Sequence, residues 1–372
     1  MNARSYDAII VGGGPAGSQA ALRLARAGRR VALLDAATFP RVKLCAGWVT
    51  PAVWRELELD PADYPLTLQP FGEATLELED ETHETRWDGT VSYGIIRREF
   101  DDFLLRRAER AGAEVHEATR VRQIRSEGDA VVVEADDAEF RAPWVIGAGG
   151  HNCPVARHFG RIDEDEPVVV ARESETRVGR ERLAELTARA GTPELFAEDD
   201  FRGYGWYFTK GDFLNIGIGC LSDGRDLHRR CEAMVERLRR DGRLPADLPI
   251  ESFRGHAYAI HIDHPRDCGG AGWMLVGDAA GLARGLSGEG IGPAVASAGL
   301  AARLILEDRA HDYPRELARQ LGSGQPSPLA RLAEKLPRPV IERAARWVCR
   351  TPALRRRIIF EGAFGMEGGS PA

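Results

Sequence analysis

The hydrophobic and polar positions near the start of the chain form two short apolar runs with a helix-like stretch between them. The runs Ala8–Val11 and 30–34 predict two parallel strands, because strands covered on both faces are continuously apolar. Residues 18–27 have helical spacing and are followed by Gly28, a residue typical of helix C-termini. The pattern therefore predicts a strand–helix–strand unit within a parallel sheet.

Further along, the chain switches between this buried pattern and strict alternation of apolar and polar residues. Residues 113–118, 143–150 and 273–281 again resemble buried strands, and helical spacing recurs at 101–112, 227–242 and 293–306. Residues 73–87 and much of 168–264 alternate instead, which is typical of antiparallel sheets with one exposed face. The chain is therefore predicted to enter a second, antiparallel domain twice.

A glycine-rich turn joins the first predicted strand to the first helix. It reads Gly12-x-Gly14-x-x-Gly17, and Asp35 ends the second strand about 20 residues later. Glycines at these positions permit a tight turn, backbone approach to a pyrophosphate and close helix–strand packing. The helix N-terminus attracts phosphate, and the acid can hydrogen-bond a ribose. The unit therefore predicts a dinucleotide site.

Composition narrows the functional classes. The chain has 372 residues and a net charge of −7, which disfavours nucleic acid as a partner. Its six cysteines form no CxxC pair, so we expect neither a metal site nor a disulfide framework. No apolar run reaches the length of a membrane span and a strand begins almost at once, so we expect a cytoplasmic protein.

Three signatures in order resemble those of glutathione-reductase-like, hydroxylase-type flavoproteins. They are GGGPAGS with Asp35, RREFD followed by VIGAGG, and VGDAAG followed by GEGI. The segments RVKLCAGWVTP, GYGWYF and GDAAGLARGLSGEGIGPAVASAG resemble, more narrowly, the geranylgeranyl reductase family. The resemblance implies an α/β fold in which a Rossmann-like FAD-binding domain (1–65, 96–160, 271–310) is interleaved with an antiparallel-sheet substrate domain (66–95, 161–270). A helical C-terminal segment (311–372) follows.

The resemblance also implies a set of FAD-contacting residues. They are Gly12, Gly14, Pro15, Ala16, Gly17, Asp35, Cys45, Ala46, Arg97, Val121, Asp278, Gly288, Gly290 and Ile291. In the family, the residue at Asp278 binds the ribitol or pyrophosphate end, and the strand at Val121 meets the adenine through its backbone. From the residues alone, Asp278 is equally readable as a helix cap and Arg97 as a surface charge before a helix.

The substrate side of the resemblance rests on aromatic residues. Tyr204, Trp206 and Phe208 alternate along one strand and so share a face, and with Trp48 they would line a pocket for a small apolar substrate. Tyr204 is one candidate catalytic residue. Cys45 is the other, with a buried packing role as the alternative because thiol reactivity requires exposure and a lowered pKa.

The chain departs from the family pattern at two places. Phe201 and Thr209 stand where the family has prolines around the aromatic motif, which bears on the substrate. Gly149-Gly150 replaces the usual Asp-Gly, which bears on direct use of NADPH. Lys210, at the end of the aromatic strand, is predicted to be a solvent-facing charge at a hairpin.

The leading functional hypothesis is a flavin-dependent reductase of C=C bonds in an isoprenoid-like substrate. FAD would carry the hydride, and the external reductant stays open between NAD(P)H and reduced ferredoxin. The alternative is a flavin-dependent monooxygenase or halogenase, in which reduced flavin meets oxygen. A third hypothesis is a peripheral flavin-binding protein without turnover.

The end of the chain is basic and amphipathic. Residues 331–357 contain nine Arg or Lys against two Glu, a net charge of +7. In the predicted helix 340–350 the apolar residues fall on one side and the basic residues on the other. Such a helix can lie on an anionic membrane, or it can pack on the domain with its basic face in water. The sequence leaves the oligomeric state open.

Overall fold

The computed structural model describes residues 4–79, 81–136, 138–160, 162, 168–186, 191–198, 201–221, 224–260, 267–285, 287–322 and 337–366. The strands are β1 (Arg4–Ser5), β2 (Ala8–Val11), β3 (Val31–Leu34), β4 (Trp48–Val49), β5 (Leu68–Phe71), β6 (Glu73–Leu78), β7 (Glu81–Arg86), β8 (Ser92–Ile95), β9 (Glu114–His116), β10 (Val121–Glu127), β11 (Ala130–Ala135), β12 (Ala138–Ala142), β13 (Trp144–Gly147), β14 (Val168–Arg177), β15 (Glu194–Ala197), β16 (Gly203–Lys210), β17 (Phe213–Cys220), β18 (Arg254–Ala259), β19 (Gly269–Gly270) and β20 (Trp273–Leu275). The helices are α1 (Pro15–Arg26), α2 (Pro51–Glu56), α3 (Arg97–Arg110), α4 (Pro154–His158), α5 (Arg180–Leu186), α6 (Leu227–Arg240), α7 (Ile291–Leu306), α8 (Tyr313–Leu321) and α9 (Arg338–Arg350). Short 3-10 turns lie at Pro61–Asp63, Gly277–Ala280 and Ala310–Asp312, and Pro352–Leu354 leads into a π-helical segment, Arg355–Ala363.

A six-stranded sheet forms the first layer of the molecule. Its order is β19-β20-β13-β2-β3-β9, and all its pairs are parallel except β19–β20. Every residue of β2 and β3 is buried, as their apolar composition predicts. Helix α1 packs against α3 and α7. The predicted α/β fold with a Rossmann-like sheet is confirmed.

A seven-stranded sheet forms the second layer, in the order β18-β14-β17-β16-β15-β6-β7. It is antiparallel except where β15 runs parallel to β6. Alternate residues divide between its faces: Tyr207 and Ile216 pack under α6, whereas Trp206 and Phe208 belong to a cluster on the opposite face. Smaller sheets, β1-β12-β11-β10 and β4-β8-β5, flank the two layers.

Most predicted elements are present, with changes at their ends. Helix α3 begins at Arg97, four residues before the predicted start, because β8 already ends at Ile95. The predicted strand 273–281 is shorter, since Gly277 has a φ of 58° and turns the chain into a 3-10 helix. Residues 261–264 of the predicted alternating run lie outside the described residues. The domain boundaries remain predictions.

The C-terminal segment packs back on the seven-stranded sheet. The buried Arg355 donates hydrogen bonds to the Glu84 carbonyl oxygen and the Thr85 hydroxyl, and Phe360 is fully buried against the Trp87 ring. These contacts fix the residues that follow, including Phe364, beside the sheet. None of the described helices is long and apolar enough to cross a membrane.

Candidate active site

The glycine turn closes tightly on itself at the carboxyl end of β2. Gly12 has a φ of 112°, and a Cβ there would collide with the carbonyl oxygen of Ala148. A Cβ at Gly17 would collide with the carbonyl oxygen of Gly12, so α1 can start here only with glycine. The Gly13 amide donates a hydrogen bond to Asp35 at 2.6 Å. The acid therefore also holds the turn together.

A cleft of about 630 Å³ opens in front of this turn. It runs between the ends of the parallel strands and the loop before α7. Eleven of the fourteen predicted FAD residues line it: Gly12, Gly14, Pro15, Ala16, Asp35, Cys45, Arg97, Asp278, Gly288, Gly290 and Ile291. An elongated cradle of backbone amides at one helix N-terminus and of glycines at another fits a dinucleotide.

The other three predicted residues lie elsewhere. Gly17 packs α1 against the turn and does not line the cleft. Ala46 lines a neighbouring cavity, and Val121 is placed next to the cleft-lining Arg120. Asp278 lies inside the 3-10 turn and is the N-cap residue of neither that turn nor α7, so the helix-cap interpretation is wrong.

Sequence reasoning missed several polar residues of the cleft wall. They are Arg41, Lys43, Arg120, His151, Asn152, His256 and Tyr258. The first two belong to the basic loop after β3, whose composition was the only local signal. Their positive charges suit a pyrophosphate, because cations beside a helix N-terminus add to its attraction for anions.

Arg97 is the anchor of a buried charge chain beneath the cleft. It is 7% exposed and donates two hydrogen bonds to Asp101, at 2.7 and 2.9 Å, and Arg41 approaches the same carboxylate at 3.3 Å. Burial opposes the charge on Arg97, but attraction to Asp101 and the hydrogen bonds outweigh it and raise the Arg97 pKa. The interpretation of Arg97 as a surface charge is therefore wrong.

A smaller cavity of about 90 Å³ adjoins the cleft on the side of the seven-stranded sheet. The structure brings together Trp48, Tyr204, Trp206 and Phe208 on its wall, as predicted, and adds Phe364 from the C-terminal segment. The Phe364 ring lies 5.4 Å from those of Trp48 and Tyr204. Tyr204 donates its hydroxyl hydrogen to the Ser287 carbonyl oxygen. The cavity is thus enclosed by rings that exclude water.

The cleft and the cavity meet along one shared wall. The residues that line both are Cys45, His256, Tyr258, Gly288, Gly290 and Ile291. The first turn of α7 therefore points at the junction, where its unpaired amides favour negative charge. A ring bound at this end of the cleft would face the apolar cavity.

A buried cluster of charges lies behind Cys45. Lys210 is 0% exposed, 2.5 Å from Glu175, and donates a hydrogen bond to the Ala46 carbonyl oxygen at 2.8 Å. The prediction of Lys210 as a solvent-facing charge is wrong, because the loop around Cys45 covers that end of β16. Glu173 accepts a hydrogen bond from the Cys45 amide, and burial raises the pKa of Glu173 to about 7.

Comparison with known proteins agrees with this geometry. A family model described as "FAD binding domain" matches residues 5–306. The chain is 33% identical over 366 residues to the menaquinone reductase of Mycobacterium tuberculosis, covering 86% of this chain and 81% of that protein. It is 32% identical over 309 residues to the geranylgeranyl diphosphate reductase of Rhodobacter capsulatus, covering 77% and 71%.

The fold also matches a solved structure. The crystal structure of a geranylgeranyl bacteriochlorophyll reductase-like protein from Thermoplasma acidophilum superposes with a TM-score of 0.79. The match covers 98% of each chain at 19% sequence identity. At this identity the likeness concerns the fold.

Proposed function

The chain belongs to the FAD-binding domain family, in its geranylgeranyl reductase branch, and from this premise we propose that it reduces C=C bonds of an apolar, isoprenoid-like substrate. FAD, the cofactor of the family, supplies a hydride when bound and reduced, and a proton completes the addition to the double bond. The observation that carries the proposal is the shared wall between the flavin cleft and the apolar cavity. The external reductant is NAD(P)H or reduced ferredoxin.

The protein's own residues would bind, orient and shield. The glycine turn, α1 and Asp35 hold the nucleotide half, while Gly290 and Ile291 at the start of α7 face the flavin. Amides at that helix end stabilise negative charge on a reduced ring. The aromatic wall of the cavity holds an apolar chain beside the ring and keeps water away, which favours transfer to carbon.

Two departures from the family pattern are accommodated by this site. Thr209 accepts a hydrogen bond from the Gly191 amide at 2.8 Å, a local role for its side chain that proline could not fill. Gly149 and Gly150 line the cleft, so the place of the usual acid is taken by backbone. We therefore treat NAD(P)H and reduced ferredoxin as equal arms of the assay.

Turnover with and without oxygen separates this proposal from the alternative. The FAD-loaded protein is reduced and mixed with prenylated alkenes under strict anaerobiosis. We expect a product that has gained two hydrogen atoms, formed without oxygen. If the alkene is unchanged until air is admitted, and oxygen is then consumed only when substrate is present, the protein is a monooxygenase or halogenase.

A second proposal is peripheral membrane contact through α9. Arg346 and Arg350 form ion pairs with Glu79, so part of the basic face is turned inward. Trp347 is 63% exposed, and Val340 and Ile341 are exposed beside it. The alternative of a packed apolar face with a solvated basic face does not fit this orientation. Exposed tryptophan and aliphatic residues on a cationic segment suit an anionic bilayer surface.

Vesicle sedimentation tests this contact directly. We expect the holoprotein to sediment with phosphatidylglycerol-containing vesicles and Trp347→Glu to stay in the supernatant. Leu66→Glu, which changes an exposed apolar residue elsewhere, is the matched control and should still sediment. Equal sedimentation of both variants would rule the contact out, and concentration-dependent dimerisation lost in Trp347→Glu would assign the face to a second copy of the chain.

A further inference from the structure

Two polar side chains of β18 stand at the junction of the flavin cleft and the apolar cavity. His256 and Tyr258 are alternate residues of the strand, and their rings stack at 5.5 Å with an interplanar angle of 27°. Both line the cleft and the cavity, and Tyr258 also lines a third cavity of about 80 Å³ beyond it. A Cβ at Gly288 would collide with the Tyr258 hydroxyl. The pair therefore lies between the flavin loop and the apolar space.

Both side chains have hydrogen-bonding capacity that no described residue uses. The Nδ1 atom of His256 is buried and has no partner among the described residues. Within the same part of the chain, the Tyr258 hydroxyl has no hydrogen-bond partner, whereas the neighbouring Tyr204 hydroxyl donates to Ser287. Buried polar atoms normally find partners, because an unpaired one costs about 1–3 kcal/mol. Two unpaired groups on one wall therefore point to a ligand.

The pair is uncharged at neutral pH. Burial lowers the pKa of His256 to about 4, with further lowering by Lys43 and Arg97. Burial also raises the pKa of Tyr258 well above its usual range. Each group is therefore neutral, and each can still donate a hydrogen bond.

The rest of the apolar cavity offers no free cation in the part of the chain that the structure describes. Glu289 is the charged side chain on its described wall; it pairs with Arg284 at 3.1 Å and accepts a hydrogen bond from the Gly292 amide at 2.6 Å. A diphosphate placed there would lack compensating charge, and burying an uncompensated anion is costly. A neutral oxygen needs only donors.

We propose that Tyr258 and His256 bind an uncharged carbonyl oxygen of the substrate beside the flavin, so that the substrate is a quinone-like or other carbonyl-bearing isoprenoid lipid. This assignment rests on the proposed function and deepens it. Hydrogen bonds to the carbonyl oxygen would align the chain in the cavity with its double bond near the ring. The two side chains thus select against prenyl diphosphates.

Ligand binding to the oxidised, FAD-loaded protein tests the assignment without turnover. The flavin absorbance is titrated with a prenylated naphthoquinone, with a prenyl diphosphate of equal chain length, and with the corresponding oxygen-free hydrocarbon. We expect the quinone to bind at least about tenfold more tightly than the diphosphate. Tyr258→Phe and His256→Phe should each weaken quinone binding about fivefold to tenfold and leave hydrocarbon binding unchanged.

Tyr207→Phe is the matched control, since Tyr207 lies on the opposite face of the same sheet and donates its hydroxyl hydrogen to Arg243. Its quinone affinity should equal that of the wild type. Equal affinity for quinone and diphosphate, or unchanged quinone binding in Tyr258→Phe, would overturn the assignment. Discrimination in binding without anaerobic alkene reduction would instead reject the proposed function and leave this assignment standing.

Discussion

The flavin cleft and the apolar cavity share a wall but are built from different materials. The cleft is made largely of backbone at glycine turns and at the ends of short parallel strands, with Asp35 and Arg97 tying loops together. The cavity is made of side chains from β4, β14, β16, β18 and the C-terminal segment. A backbone cradle is intolerant of added atoms, whereas a wall of rings can be trimmed one ring at a time.

The largest expected effect is on the backbone cradle. Gly12→Ala should abolish FAD retention and lower the free energy of unfolding by more than about 3 kcal/mol, because the new Cβ meets the Ala148 carbonyl and the φ of 112° is strained. The readouts are flavin absorbance per chain and urea unfolding. Gly28→Ala, with a φ of 75° but no atom within 4 Å, should cost only about 1 kcal/mol. Equal losses would mean that the cradle is not tightly packed.

The buried ion pair behind Cys45 comes next. Lys210→Met should lower the free energy of unfolding by about 3–5 kcal/mol, because Glu175 loses its partner in a largely buried site. Urea unfolding of the holoprotein measures this. The exposed pair of Arg4 and Glu114 provides the control, and Arg4→Met should cost less than about 1 kcal/mol. Similar costs for both variants would contradict the burial of Lys210.

The pH dependence of stability should reveal the Glu173 carboxyl. Burial raises its folded pKa to about 7, above the ordinary value of about 4.3, so between these pH values the folded state holds a proton that the unfolded state has lost. Stability should therefore fall as pH rises from about 4.5 to 7.5. Relative to Glu173→Gln, the wild type should lose roughly 3 kcal/mol over this window. Parallel curves for the two proteins would contradict the raised pKa.

The smallest effect concerns one ring of the cavity. Phe364→Ala should raise KM for a prenylated substrate about fivefold while FAD content stays at one per chain, because the ring contacts substrate space and not the cleft. Steady-state anaerobic kinetics and flavin absorbance give the two readouts. Ile358→Ala, an exposed position of the same segment, should leave both unchanged. Loss of FAD in Phe364→Ala would break the distinction between the two regions.

The same difference explains what the sequence could predict. The cleft depends on local motifs, so Gly12, Asp35 and Asp278 could be placed before any coordinates, and β2, β3 and α7 follow from periodicity. Long-range packing was not visible in the sequence. Lys210 is buried because a loop more than 160 residues away covers it, and Phe364 reaches the cavity only because Arg355 and Phe360 dock the C-terminal segment.

The junction residues were missed for a related reason. His256 and Tyr258 follow no motif, and their alternation in β18 is that of any half-buried strand. Only the pairing of β18 with β14, which sets His256 opposite Ala171 on the cavity wall, brings them to the flavin loop. Pairings between strands distant in sequence are set by the whole fold and leave little local trace.

Anaerobic single turnover of the reduced holoprotein tests the shared wall most directly. The flavin is reduced chemically, excess reductant is removed, and a prenylated quinone is added while the flavin absorbance is followed. Our account predicts reoxidation without oxygen, with one product that has gained two hydrogen atoms formed per flavin. A flavin that stays reduced beside bound substrate until oxygen is admitted would contradict it.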